Sequence, residues 1–326
     1  MSLEILWFVL IAVLWVGFFF LEGFDFGVGI LQLFLGKNER ERGTYIFTIS
    51  PHWDGNEVWL LTAGGATLAA FPLWYAALFS ALYLPLVILL LALIIRGATF
   101  EVRHRADFPQ VRLVCDIATA ASSFVATLLF GVAMANMAIG IPLENGNFTG
   151  SFFYLIRPYA LLGGILCLSL FLTNGALFLT LKIEGELQLR AFKFSKIATI
   201  VSVALFAIAT ILAVEHALLS LLSLTLISGA AILTIKHYLR TAFICVALCT
   251  ACSIAALFSA MFPNVLVSSI SPEQNLTVWN AASSAYTLKL MSIVAAIFVP
   301  IIIAYQSWSY YVFRKRISPR KANVEV

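Results

Sequence analysis

Charge is what this chain has least of. Only 11% of its 326 residues are Asp, Glu, Lys or Arg, while 62% are hydrophobic. Soluble domains carry roughly a quarter charged residues, so a soluble globular class is excluded. The small net charge of +4 gives no basis for a nucleic-acid partner. The alternating ten-residue segments of a membrane β-barrel are also missing. No basic leader with a small-residue cleavage site precedes the first apolar run, which is therefore expected to stay as a helix. Histidine is scarce: His52, His104, His216 and His237 lie at span edges or in loops. A chain holding several haems would be expected to place histidine or methionine ligands inside its spans, so no metal or haem ligand is expected here. A P-loop, an HExxH helix and a readable Ser-His-Asp arrangement are absent too, and no catalytic residue is expected in this chain. Five cysteines, Cys245, Cys249 and Cys252 among them as C-x3-C-x2-C, all sit in apolar stretches and read as small packing residues.

Long uncharged runs are plentiful. A hydrocarbon core of ~30 Å takes about 20 helical residues. The runs give an all-α polytopic membrane protein with nine transmembrane helices, near 5–35, 52–72, 75–96, 115–137, 154–181, 196–214, 217–235, 241–261 and 284–312. Only Glu215 and His216 divide the sixth from the seventh. Loops after spans one, three, five and seven are basic, as is the tail RKRISPRKANVEV, whereas the alternate loops hold a single arginine, Arg157. Positive charge marks the cytoplasmic side, which puts the N-terminus outside and the C-terminus inside. We expect one transmembrane domain over 1–313 and a basic cytoplasmic tail over 314–326. Glycine-bearing patches in spans one and five (EGFDFG and TNGALF) hint at pseudo-repeats over about 5–137 and 154–261, with the last helix, about 284–312, apart from both.

The informative residues are ionisable groups at membrane depth, which are costly unless they face a bundle interior or a water-filled path. Glu22 and Asp25 lie three apart on one helix face, among Gly23, Gly27 and Gly29 that allow close helix approach. They either pair with an arginine and fix packing, or exchange protons. The second span opens on PHWDGNEVW. Pro51 suits a first helical turn, and Asp54 and Glu57 at a helix start are favoured by the dipole. Two acidic pairs in the same half of adjacent spans suggest a proton entry instead of two separate caps. His52 reads as a hydrogen-bonding residue more than a metal ligand, Trp53 and Trp59 as interfacial aromatics, and Arg96 as snorkelling or paired with an acid.

EGFDFGVG followed by ISPHWDGNEVWLLTAGGATLAAFP resembles subunit II of the bacterial cytochrome bd quinol oxidases. GNFTGSFFYLIRPYALLGG, EGELQLRA, MFPNVLVSSISPEQNLTVWNAASSAYTLKLM and VPIIIAYQSWSYY carry the resemblance through nearly the whole chain. It implies nine helices as two four-helix bundles plus one peripheral helix, in a bacterial cytoplasmic membrane. It also implies a partner subunit I holding b and d haems and oxidising quinol from the membrane pool, in a complex that reduces O2 to water with cytoplasmic protons and generates proton-motive force. No haem is implied for this chain, and a structural quinone is left open. By that resemblance Glu22, Asp25 and Asp54 belong to proton supply and Trp59 lies near an O2 access route. The position of Glu57 varies in type within the family's motif, and Glu57 stays a proton-path candidate on the residues, with His52, Trp53, Asn56 and Arg96 assigned to structure and interface. The family's first acid is typically Asp where this chain has Glu22, which keeps a carboxylate. Two other classes stay open on the residues alone: a proton-coupled secondary transporter, which would break helices near the midplane, and an assembly scaffold with no path of its own.

Overall fold

The computed structural model describes residues 2–212 and 217–317. The chain runs α1 (Leu3–Leu35), α2 (Glu39–Phe47), α3 (Trp53–Ala70), α4 (Pro72–Ala81), α5 (Tyr83–Arg105), α6 (Pro109–Ile139), α7 (Pro158–Lys182), α8 (Glu186–Leu212), α9 (Ala217–Ile235), α10 (Leu239–Met261) and α11 (Ala285–Val312). Eight of these, α1, α5 to α10 and α11, are long and apolar enough to cross a membrane. The span expected over 52–72 is α3; it falls short on apolarity because Asp54, Asn56 and Glu57 crowd its first turns. The break expected at Glu215 and His216 lies outside the described residues, as does the tail from 318 onward.

Several boundaries move, for one physical reason. Hydropathy registers only the part of a helix inside hydrocarbon, while helices continue past it. Thus α5 runs on to Arg105, its last turn carrying Arg103, His104 and Arg105, which suit the negative end of the dipole. Likewise α6 starts at Pro109 and α8 at Glu186, upstream of the expected 115 and 196. The single span expected over 75–96 is instead two helices: Pro72 opens α4 and the chain turns again at Leu82 before α5. Pro51 lies in the turn before α3 and not in its first turn.

α1 is the central helix, packed against α3, α6, α7 and α10. Its crossing with α7 is a glycine contact. A Cβ on Gly27 would stand 1.9 Å from the Phe171 carbonyl oxygen, and one on Gly175 would stand 2.6 Å from Gly27. The EGFDFG and TNGALF patches therefore meet face to face. From α5 to α10 each helix packs on the next in sequence. α11 is peripheral, with Leu288 its one buried residue. Lipid supplies no hydrophobic drive between helices, so polar contacts must hold α11. Trp7 donates from Nε1 to the Leu288 carbonyl and to Ser292 Oγ, both at 3.0 Å, at one end.

Loops sort by end as their charge suggests. At one end β1 (Leu143–Glu144) and β2 (Asn147–Phe148) form a hairpin over Asn145 and Gly146, both at positive φ, as a two-residue Asn-Gly turn requires. β3 (Asn264–Leu266) pairs with β4 (Leu276–Thr277), Ile141 bridges to Ser268, and Ser283 bonds back to the carbonyls of Ala69 and Ala70. At the other end Tyr45 of α2 donates to the Leu187 carbonyl at 3.1 Å, Ile317 pairs with Ile183, and Lys182 donates to the Phe313 carbonyl. The loops expected on each side of the membrane are thus in contact with one another.

Candidate functional site

α1, α3 and α5 bring four ionisable side chains together at membrane depth. Arg96 on α5 is fully buried, and its Nη1 lies 2.6 Å from Glu22 Oε1 and 3.3 Å from Glu57 Oε2. Its guanidinium also covers the Phe26 ring at 4.2 Å, with Phe100 and Trp53 at 5.3 and 6.0 Å. Of the two readings for Arg96, pairing with acids is the one realised. Asp25 is equally buried, but its ring of partners is different: Asn56 donates from Nδ2 to Asp25 Oδ2 at 2.6 Å. Glu22 Oε2 and Asp25 Oδ1 are buried and, among the described residues, have no hydrogen-bond partner. Three carboxyls and a single guanidinium therefore gather here, with Glu22 and Glu57 in contact with Arg96 and Asp25 held by Asn56. Full ionisation would leave a net charge of minus two at membrane depth, which a proton held among them relieves.

The structure separates the two acids of PHWDGNEVW. Asp54 sits in the first turn of α3, exposed, and makes no hydrogen bond or ion pair among the described residues. Glu57 is the one that reaches Arg96. At about 100° per residue, Asn56 lies on the side of α3 away from Asp54, while Glu57, three residues on, lies about 60° from Asp54 and falls between the two. Asp54 and Asp25, expected to centre a proton mouth, make no hydrogen bond or ion pair with each other among the described residues. His52 is buried and lies flat on Tyr310, ring centroids 4.4 Å apart. Trp53 packs on Phe100 at 5.0 Å.

Gln306 and Tyr310 join the site from α11, and sequence reasoning did not single them out. Gln306 Nε2 donates to Asn56 Oδ1 at 2.8 Å and the Tyr310 hydroxyl donates to the same oxygen at 2.9 Å. Trp59 donates from Nε1 to Gln306 Oε1 at 2.6 Å. Two polar residues four apart in an otherwise apolar last span were the available signal.

A second buried carboxylate, Asp116, was also missed. It opens α6 at the basic-loop end, where Arg42 and Arg103 each place Nε on one of its oxygens, at 2.6 and 2.5 Å. Gln32 of α1 donates to its carbonyl at 2.7 Å. Nearby, Arg190 meets Glu41 from Nη1 and Nη2 at 2.8 and 2.7 Å. The Arg190 hydrogen bonds hold the Glu41 carboxyl below its ordinary value, and burial pushes the Tyr45 hydroxyl up to about 12. Among the described residues no group of three or more His, Cys, Asp or Glu is placed to hold a metal ion.

Residues 3–313 match the family model described as cytochrome bd terminal oxidase subunit II. The chain is 42% identical over 332 residues to the cytochrome bd ubiquinol oxidase subunit 2 of Bacillus subtilis (strain 168), covering 98% of each chain. It is 34% identical over 361 residues to the cytochrome bd-I ubiquinol oxidase subunit 2 of Escherichia coli (strain K12), covering 97% of this chain and 95% of that one. Among solved structures, that of bd oxidase from Geobacillus thermodenitrificans matches with a TM-score of 0.77 at 16% identity, over 96% of this chain and 99% of the other, a likeness of fold.

Proposed function

The chain belongs to the cytochrome bd terminal oxidase subunit II family, and from that premise we propose that it is the non-haem partner of a subunit I, stabilises that subunit, and passes protons to it through Glu22 and Asp25. As a family member it is a multi-pass membrane subunit of an oxidoreductase complex, which sets the transporter class aside. In this reading it sits in a bacterial cytoplasmic membrane, its basic-loop end faces the cytoplasm, and the complex takes electrons from the quinol pool to reduce O2 to water. The haems of the family supply the oxygen chemistry from subunit I. Among the described residues, His52 is stacked on Tyr310, and Met134 and Met137 pack in the core.

A place for subunit I is suggested by α3. Asp54, Val58, Leu61, Gly65 and Leu68 recur every three or four residues and are all exposed. This helix is too polar to be a comfortable lipid-facing span, and Gly65 has open space where a Cβ would stand. Small residues on such a face admit another helix closely. Asp54, unused within this chain, would lie at that contact. An apolar cavity of about 230 Å3 between α6, α7, α8 and α10, lined by Met134, Leu166, Phe206 and Leu257, suits the tail of a structural quinone or a lipid.

The observation that carries the proton reading is the pair of buried, unpartnered oxygens, Glu22 Oε2 and Asp25 Oδ1. They are the atoms at which a proton can be accepted and handed on, with Arg96 holding the charge that remains. The test is Asp25→Asn and Glu22→Gln in the intact complex. Positioned proton transfer contributes about 100-fold or more, so quinol-dependent O2 uptake per haem is expected to fall at least about tenfold with haem content kept. Unchanged turnover in both variants would leave only the scaffold role.

A further inference from the structure

We propose that Trp59 is a positioning residue for Asp25: its indole N–H sets the direction of a hydrogen-bond chain that runs Trp59, Gln306, Asn56, Asp25. Each member donates to the next, over 2.6, 2.8 and 2.6 Å. The direction follows from the chemistry of the two ends. An indole nitrogen can only donate, whereas an amide offers an oxygen on one side and an NH2 on the other. Trp59 therefore draws the oxygen of Gln306 towards itself and turns the Gln306 NH2 to Asn56. Asn56 must then present its oxygen to α11, where Tyr310 donates to it as well, and its own NH2 to Asp25 and to the Leu21 carbonyl, the latter at 3.2 Å. Every hydrogen-bonding site of the Asn56 side chain is filled, and a reversed amide would set its oxygen against a carboxylate oxygen.

The seat of the indole is built for this. A Cβ on Gly17 of α1 would fall 2.3 Å from Trp59 Cε3, so the glycine leaves the notch in which the ring lies. The consequence for Asp25 is that Oδ2 is occupied by a donor of fixed orientation, while Oδ1 alone is left for exchange. This role rests on the reading of Asp25 as a proton carrier. It differs from the O2-access role that the family resemblance implies for Trp59, and a chain of aligned donors reinforces itself in a low-dielectric interior.

The test uses the assembled oxidase with Trp59→Phe, Gln306→Met and the double variant, each normalised to haem. Phe keeps the ring against Gly17 and removes only the donor. One lost hydrogen bond corresponds to about three- to tenfold, so kcat should fall by about that factor in each single variant. Members of one chain are not additive, so the double variant should lose no more than a single one, in kcat and in thermal stability alike, with KM for O2 unchanged. Losses that multiply in the double variant would overturn the chain. So would a raised KM for O2 in Trp59→Phe with Gln306→Met silent, which would assign the ring to gas access. Asp25→Asn separates this proposal from the one it rests on. If that variant is inactive while the chain variants keep full turnover, the chain fails and the proton reading stands. If Asp25→Asn keeps full turnover, the proton reading fails and takes the positioning role with it, even where the stability losses show the chain itself.

Discussion

Two buried carboxylate clusters, one at membrane depth and one at the basic-loop end, are solved in opposite ways. Asp116 is saturated: one arginine Nε on each oxygen, at 2.6 and 2.5 Å, and the carbonyl bonded to Gln32. The deeper cluster is left short. Glu22 and Glu57 share Arg96, Asp25 accepts only from Asn56, and one oxygen each on Glu22 and Asp25 has no partner among the described residues. Buried polar groups are almost always satisfied, so a group that is not calls for an explanation beyond stability. The saturated cluster ties three elements together: Arg42 from α2, Arg103 from α5 and Asp116 from α6. The unsaturated one sits where α1 meets α3 and α5, with unfilled acceptor capacity on Glu22 and Asp25 among the described residues.

The sharpest way to break this contrast is to remove the one base of the deep cluster. Arg96→Met leaves Glu22 and Glu57 without their ion-pair partner and three acids without a cation, and breaking a buried pair costs about 3–5 kcal/mol. The expected outcome is loss of the assembled, haem-bearing complex, read by haem content in purified membranes. A normally assembled complex would show that the acids need no internal base. Next in size is Asp116→Asn, which removes the charge that Arg42 and Arg103 share. Hydrogen bonds to charged groups are worth about 1.5–3 kcal/mol, so the complex should melt earlier by an amount of that order. Turnover per remaining haem should hold. If turnover falls while the melting temperature stays, Asp116 belongs with the proton groups and the two clusters are alike.

Much of the architecture could be read from the chain because two of its signals are local. Apolar length marked the eight helices long and apolar enough to span, and the loops grouped by their Lys and Arg content do meet. Glu22, Asp25 and Arg96 stood out for the same reason, as ionisable groups in apolar runs. The rotation of α3 was not legible. That Glu57 and not Asp54 reaches Arg96 is a matter of contact between helices α3 and α5. Gln306 and Tyr310 were hidden for a related reason: they meet Asn56 across some 250 residues of chain. Asp116 was overlooked because a lone acid at a span start resembles any interfacial charge until two arginines close on it. The break at Leu82 escaped because the residues on both sides of it are apolar, and composition does not show a turn between like segments.

The smallest expected effect lies at the rim of the saturated region, in the pair of Glu41 and Arg190. Their side chains are 22% and 16% exposed, so solvent screens the interaction, and an exposed ion pair is worth at most about 1 kcal/mol. Its pH dependence has a definite sign. Arg190 lowers the Glu41 carboxyl below its ordinary value of 4.5, so folding gains from the ionised form. The contribution is complete above about that pH and fades as pH falls through the lowered value, because the unfolded chain binds the proton first. Glu41→Gln should therefore melt slightly earlier than the parent at pH 7, with the difference closing as pH drops below 4.5. Thermal unfolding of the complex at both pH values checks it. A gap that persists or widens in acid would mean that Glu41 stabilises the α2 end through packing or its bond to the Lys37 backbone N–H, at 2.7 Å, and not through its charge on Arg190.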